Sequence, residues 1–210
     1  MRLTVELIPK TCSGSNIRTL VPKKYWDILR KTSYKNADYK CEICGGKGTD
    51  QGYRHDLECH EVWEYNVKQR VQKLVKLVSL CPLCHQAKHI GRAKYIGKRE
   101  EVIQHMKKVN KMTKRKIEEY LEGEFTKYVE NSRIRWKLDL TLLLELCKIK
   151  KSLVEKAEKS RLVENKSKTG AYDKSKYRKK KKKSTKKTTS VKKTSKPKKK
   201  RSPKRRPRKN

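Results

Sequence analysis

The chain has 210 residues, 33% of them hydrophobic, with 60 Lys and Arg against 22 Asp and Glu, a formal charge of +38. That length favours one compact domain with little room for a second, and so positive a field recruits polyanions, of which nucleic acid is the commonest inside cells. No run of about 18 apolar residues is present to span a bilayer, and residues 1–10 carry Glu6 and Pro9 without an apolar core, so neither a membrane partner nor a secretion signal is read.

The expected setting is therefore intracellular and reducing, in the nucleus or another compartment that contains DNA. There the seven cysteines read as metal ligands rather than disulfides. The charge is unevenly spread. Residues 166–210 hold 24 Lys and Arg against the single acid Asp173, so this stretch carries +23 of the total. Beyond Tyr172, Tyr177 and Val191 it has almost no large apolar side chain, and it is expected to be a disordered basic tail.

In chain order, Leu3, Val5 and Leu7 alternate with Thr4 and Glu6, the period of a strand with one buried face. Pro22 precedes a predicted helix over residues 23–36, with Trp26, Leu29 and Ser33 on one side. Cys41 and Cys44 follow, then Gly45 and Gly46. Residues 56–63 read as a strand with Leu57, Cys59 and Glu61 on one face and Glu58, His60 and Val62 on the other. Residues 71–80 read as a second strand or a helical turn leading into it. Cys81 and Cys84 open the next element, and residues 85–90 look like the first turns of a helix. A basic connector is expected after Gly91, then a helix capped by Thr113 and ending at about residue 129. Ile134, Trp136, Leu138 and Leu140 alternate with polar residues and predict a strand, with residues 3–7 as its expected partner; a last helix is expected from Leu142 to about residue 165.

Zinc prefers four tetrahedral ligands, and thiolates are among its best. Two residues between cysteines let both sulfurs reach one ion from a tight turn, where glycine supplies positive-φ freedom. Cys41, Cys44, Cys81 and Cys84, with 36 residues between the pairs, therefore predict a closed structural zinc site. On a helix, residues i and i+4 share a face, so His85 and His89 can share a second metal, and His60, delivered by a strand, can approach the same place. Arg92, Lys94, Lys98 and Arg99 follow and either grip phosphates or form a solvated face. His55 and His105 read as exposed, Trp26, Trp63, Trp136 and Cys147 as core.

From Cys41 to His89 this combination resembles the HNH endonucleases, the ββα-metal nucleases in which Cys-x-x-Cys knuckles flank the catalytic motif. The resemblance implies that His60 is the general base, that Cys59 stands where an Asp or His metal ligand is usual, and that His85 and His89 complete the ligand set. The family's central Asn falls on Lys76. The expected fold is α+β: a small zinc-stabilised ββα-metal core with flanking helices and a disordered basic C-terminal tail. Its segments are an N-terminal strand and helix (1–40), the HNH-like zinc domain (41–95), a helical extension with one strand (96–165) and the tail (166–210). The expected function is metal-dependent hydrolysis of DNA phosphodiester bonds, with structural Zn2+ and a catalytic Zn2+, Mg2+, Mn2+ or Ni2+. The alternative is a non-catalytic zinc-containing DNA-binding or packaging protein on a degenerate scaffold of this type; RNA as the partner stays open.

Overall fold

A computed structural model of the chain describes residues 2–14 and 16–167. In chain order they form α1 (Ile17–Leu20), α2 (Lys23–Asn36), β1 (Glu58–Asn66), β2 (Val71–Leu80), α3 (Pro82–Lys88), α4 (Ile90–Tyr95), α5 (Arg99–Asn110), α6 (Lys114–Asn131), β3 (Lys137–Asp139), α7 (Leu142–Cys147) and α8 (Lys151–Ser167). This is an α+β fold with one three-stranded sheet of order β1-β2-β3. Apart from Lys166 and Ser167, which close α8, the expected tail lies outside the described residues.

β1 and β2 form an antiparallel hairpin in which Glu58 lies opposite Leu80 and His60 opposite Val78, with a register shift between Val62 and Trp63. The hairpin feeds two cores. Leu57, Val78 and Leu80 join Cys81, Cys84, Ala87, Ile103, Met106 and Ile117 in the first; Leu74 joins Ile17, Leu29, Leu138, Leu140 and Leu143 in the second, with Trp63 packed against it. The first core backs the knuckles and α3.

α2 spans the predicted residues, and Thr113 caps α6 by accepting a hydrogen bond from the Lys116 amide. Four expectations are corrected. Residues 3–7 form no strand and pair with none among the described residues. Asn110 bonds both the N–H and the carbonyl of Leu3 (2.8 Å each), the Tyr120 hydroxyl accepts from the Val5 amide (3.0 Å), and the Glu6 amide donates to the Lys88 carbonyl (2.8 Å). Side chains and a helix end thus satisfy the backbone that a sheet partner would have taken. Of residues 134–140 only β3 is strand, and it runs parallel to Val71, Gln72 and Lys73 of β2 rather than beside residues 3–7. The basic connector after Gly91 is largely helical, as α4 and α5. The last helix breaks at Lys148, whose φ of 46° is left-handed and ends α7.

Candidate metal centres

The first centre is made by two chain reversals. Gly45, at φ +76°, lets the first knuckle turn so that its own amide donates to the Cys41 carbonyl (2.8 Å). This knuckle docks on the end of β2, where the Glu42 amide donates to the Ser79 carbonyl (2.9 Å) and the Glu42 carboxylate accepts from the Ser79 amide (2.8 Å). Cys81 follows the last residue of β2 as the N-cap of α3, and Pro82 starts that helix, the position where a missing N–H costs nothing. Nearby, a β-carbon on Gly48 would lie 2.0 Å from the His55 carbonyl oxygen, so only glycine fits that pass.

The sulfurs of Cys41, Cys44, Cys81 and Cys84 consequently lie within 4.8 Å of one another. The Cys41 thiol is held far below its ordinary range by hydrogen bonds from Cys44, Cys81 and Cys84, and the same bonds push the Cys81 and Cys84 thiols up in turn. Two side chains outside the knuckles reach it: Gln51 Nε2 donates to Cys81 Sγ (3.1 Å), and His105 Nε2 lies 3.1 Å from Cys84 Sγ. His105 is thus half-buried on α5 rather than exposed; no spacing or motif marks it.

The second centre joins β1 to the end of α3. Nitrogens of His60, His85 and His89 lie within 4.8 Å of one another, and the rings cross edge to face with centroids 4.8 to 5.2 Å apart. The His89 amide still donates to the His85 carbonyl (3.2 Å), which keeps the i, i+4 relation although α3 ends there.

Carboxylates orient two of the rings. His60 Nε2 is 3.0 Å from Glu6 Oε2, and Glu6 Oε1 also accepts from Lys88 Nζ (2.8 Å), so one carboxylate bridges the imidazole and a buried lysine. Burial opposes ionisation of Glu6, but the bond to His60 and the Lys88 charge hold its pKa below the usual carboxylate value. An ionised carboxylate only accepts, so Nε2 carries the His60 proton and Nδ1 the lone pair. That Nδ1 is buried and has no hydrogen-bond partner. His85 Nδ1 bonds Glu58 in the same way. Burial, followed by the neighbouring imidazoles, pulls His89 down to about 3, and burial lowers His60 as well. Both are therefore neutral at physiological pH, the form that ligates a metal.

Two residues given roles by the family resemblance sit in surroundings that the sequence does not announce. Cys59 does not join the histidines. Successive residues of a strand face opposite ways, so with His60 turned toward α3, Cys59 turns toward α2. There it meets Ser33, and burial raises its thiol to about 12. His60, in turn, is 1% exposed. A general base must reach the water it deprotonates; this ring is instead enclosed, with one of its nitrogens within 4.8 Å of a nitrogen on each of the other two histidines. Lys76, at the family's Asn position, reaches the first knuckle and bonds Glu42 (2.9 Å).

A cleft of about 830 Å3 runs between α2 and this histidine group, lined by His85, His89 and Arg92 among others. Of the four basic residues singled out in the sequence, Arg92 alone lines it. Lys94 is exposed elsewhere. Lys98 bonds the Tyr53 hydroxyl (3.0 Å) and Glu101, and Arg99 forms a two-pronged pair with Glu118. Trp136 is buried as expected, whereas Trp26 and Trp63 are half-buried and line the cleft. His55 is exposed and bonds Glu58 (2.9 Å); Cys147 is half-buried against the second core. Among the described residues no helix is long and apolar enough to cross a membrane.

No protein-family model, curated protein or solved structure matches the chain.

Proposed function

We propose that the chain is a metal-dependent phosphodiester hydrolase acting on DNA, of the HNH type in arrangement. In this reading structural zinc sits on Cys41, Cys44, Cys81 and Cys84, and a divalent ion sits on His60, His85 and His89. The observation that carries it is the histidine group itself: three converging imidazoles, one of which buries a nitrogen with no partner. A buried polar atom left without a partner is costly, and a cation is the partner three converging lone pairs suit. The order of elements supports the same reading, since a hairpin leads through a knuckle into the helix that bears His85 and His89.

Three imidazole nitrogens favour zinc or nickel, with manganese next, over magnesium. A divalent ion there would activate water and polarise a phosphoryl oxygen. The chain's own residues then have defined tasks. His60 serves as a ligand rather than as the base. Glu6 and Glu58 fix the protons of His60 and His85 away from the ligating nitrogens, as carboxylates commonly do behind metal-bound histidines. Arg92 stands at the cleft where a phosphate would arrive. The tail adds affinity through counterion release without choosing sequence.

The test is nicking of supercoiled plasmid by purified protein with zinc, nickel, manganese or magnesium, beside His60→Ala and His89→Ala. Nicking with one or more of these metals, lost in both variants, supports the reading. A protein that retards plasmid but never nicks it with any of them is the alternative, a DNA-binding protein without catalysis.

A further inference from the structure

The cleft beside the histidines extends well past them. Its walls include the half-buried aromatics Trp26 and Tyr34 of α2 and Trp63 of β1, and its cations include Arg18 of α1 and Arg92 of α4. Asp27, also in the lining, is neutralised by Lys23 and Arg30 (2.8 Å to Arg30), and Glu58 is engaged by His55 and His85. Arg18 and Arg92 are exposed and make no ion pair among the described residues. The floor on β1 belongs to the sheet's edge strand, so no neighbouring strand covers that side.

We infer that this cleft takes a single unpaired nucleic-acid strand, its bases against Trp26, Tyr34 and Trp63 and its phosphates against Arg18 and Arg92. This deepens the proposed function and rests on it for what the strand meets at the histidine end. Size is the first argument. A volume of about 830 Å3 falls within the roughly 300–1,000 Å3 of sites that enclose one small ligand; it admits a short run of nucleotides and not a stacked duplex. The second is the lining. Half-buried aromatic faces inside a cleft are reached only by bases out of the helical stack, whereas duplex DNA offers its phosphates outward and keeps its bases inside. Aromatic platforms interleaved with cations are the chemistry of single-strand binding, and they tolerate any sequence because every base has a π-face. Deoxyribose and ribose strands share that chemistry.

Photocrosslinking with the full-length protein tests this and separates the cleft from the tail. Oligonucleotides carrying 5-iodouracil, as single-stranded DNA, single-stranded RNA and duplex DNA of one sequence, are irradiated with the protein and the crosslinked peptides mapped. The expected result is crosslinks on peptides containing Trp26, Tyr34 or Trp63 with either single strand, and crosslinks only outside the cleft with duplex. Arg18→Gln with Arg92→Gln, both at exposed positions, should lower the log–log salt slope of single-strand binding by about 0.7 for each phosphate no longer neutralised. Trp26→Phe should keep the crosslinks at Trp63. Single-strand crosslinks confined to residues 168–210, or duplex crosslinks equal to single-strand ones at the cleft, overturn the inference. The two claims also come apart. Plasmid nicking without cleft crosslinks ends this inference and leaves the hydrolase. Cleft crosslinks in a protein that cuts no strand with any metal end the hydrolase and support the cleft as a strand-binding site.

Discussion

The two candidate metal centres are adjacent on one helix, since Cys84 and His85 are neighbours on α3, yet they differ in every property that decides a metal's task. The cysteines offer four sulfurs, enough to close a tetrahedron, and their walls are the first core. The histidines offer three nitrogens, one short of that number, and open through His85, 22% exposed on its side chain, onto the cleft. A closed thiolate set suits structural zinc; three protein nitrogens beside an opening suit a catalytic ion. The contrast comes from helix geometry: consecutive side chains diverge by about 100° around the axis, so one short helix serves a fold-holding site with one side and a candidate reactive site with the next. Even the supporting residues differ in kind. An amide donor, Gln51, and a ring nitrogen of His105 approach the sulfurs; carboxylate acceptors, Glu6 and Glu58, hold the imidazoles.

The largest effect should come from breaking the closed site. Structural zinc contributes about 10 kcal/mol or more to small domains that depend on it, comparable to the whole stability of an ordinary domain at about 5–15 kcal/mol. Cys81→Ser is therefore expected to unfold the body and release zinc, read together as lost far-ultraviolet ellipticity and colour from a zinc-sensitive chelator. A fully folded, zinc-free Cys81→Ser protein would break this half of the comparison.

Deleting residues 168–210 should leave both centres loaded while sharply weakening DNA binding. The log–log salt slope should fall by about 0.9 for each phosphate that the tail had neutralised. A truncated protein with unchanged affinity and slope would mean that the tail serves something other than DNA.

A smaller effect is expected behind the open site. Glu6→Ala removes the acceptor that fixes the His60 tautomer and should weaken metal at the histidines by about 10- to 100-fold, the usual cost of losing such a partner, with the cysteine-bound zinc untouched. Glu6→Gln keeps a carbonyl acceptor and should lose less. Equal losses from both centres in a cobalt titration would show Glu6 to be merely structural. Smallest of all is Lys76→Asn. The side chain is 59% exposed and turned to Glu42, not to His60, so restoring the family's residue should change stability by less than about 1 kcal/mol and leave cleavage as it was. A gain in nicking would place that position back at the histidines.

What the sequence made legible tracks the range of the physics involved. The knuckles, α2, the strand around His60 and the Thr113 cap all follow from local spacing, and all are found, whereas residues 71–80, read as a strand or a helical turn, are settled as strand only by their pairing. Leu3 and Val5 are buried as the alternation implies, but their hydrogen-bond partners Asn110 and Tyr120 lie more than a hundred residues away, and no pattern announces them. Glu6 was hidden for the same reason: a lone acid in an apolar run carries no mark of the imidazole it will meet 54 residues later. Cys59 illustrates a different point. A family pattern supplied its role, although the period of the strand already placed it on the face opposite His60.

Metal stoichiometry tests the central claim most directly. Protein prepared without chelator and dialysed against cobalt is weighed by native mass spectrometry beside His89→Ala. If the histidine group is a metal site, wild type carries one ion more per chain than His89→Ala, and the bound cobalt includes a nitrogen-ligated species beside the thiolate one in the visible spectrum. If wild type and His89→Ala carry the same single ion, with thiolate absorption only, the three imidazoles hold no metal and the hydrolase reading falls with them.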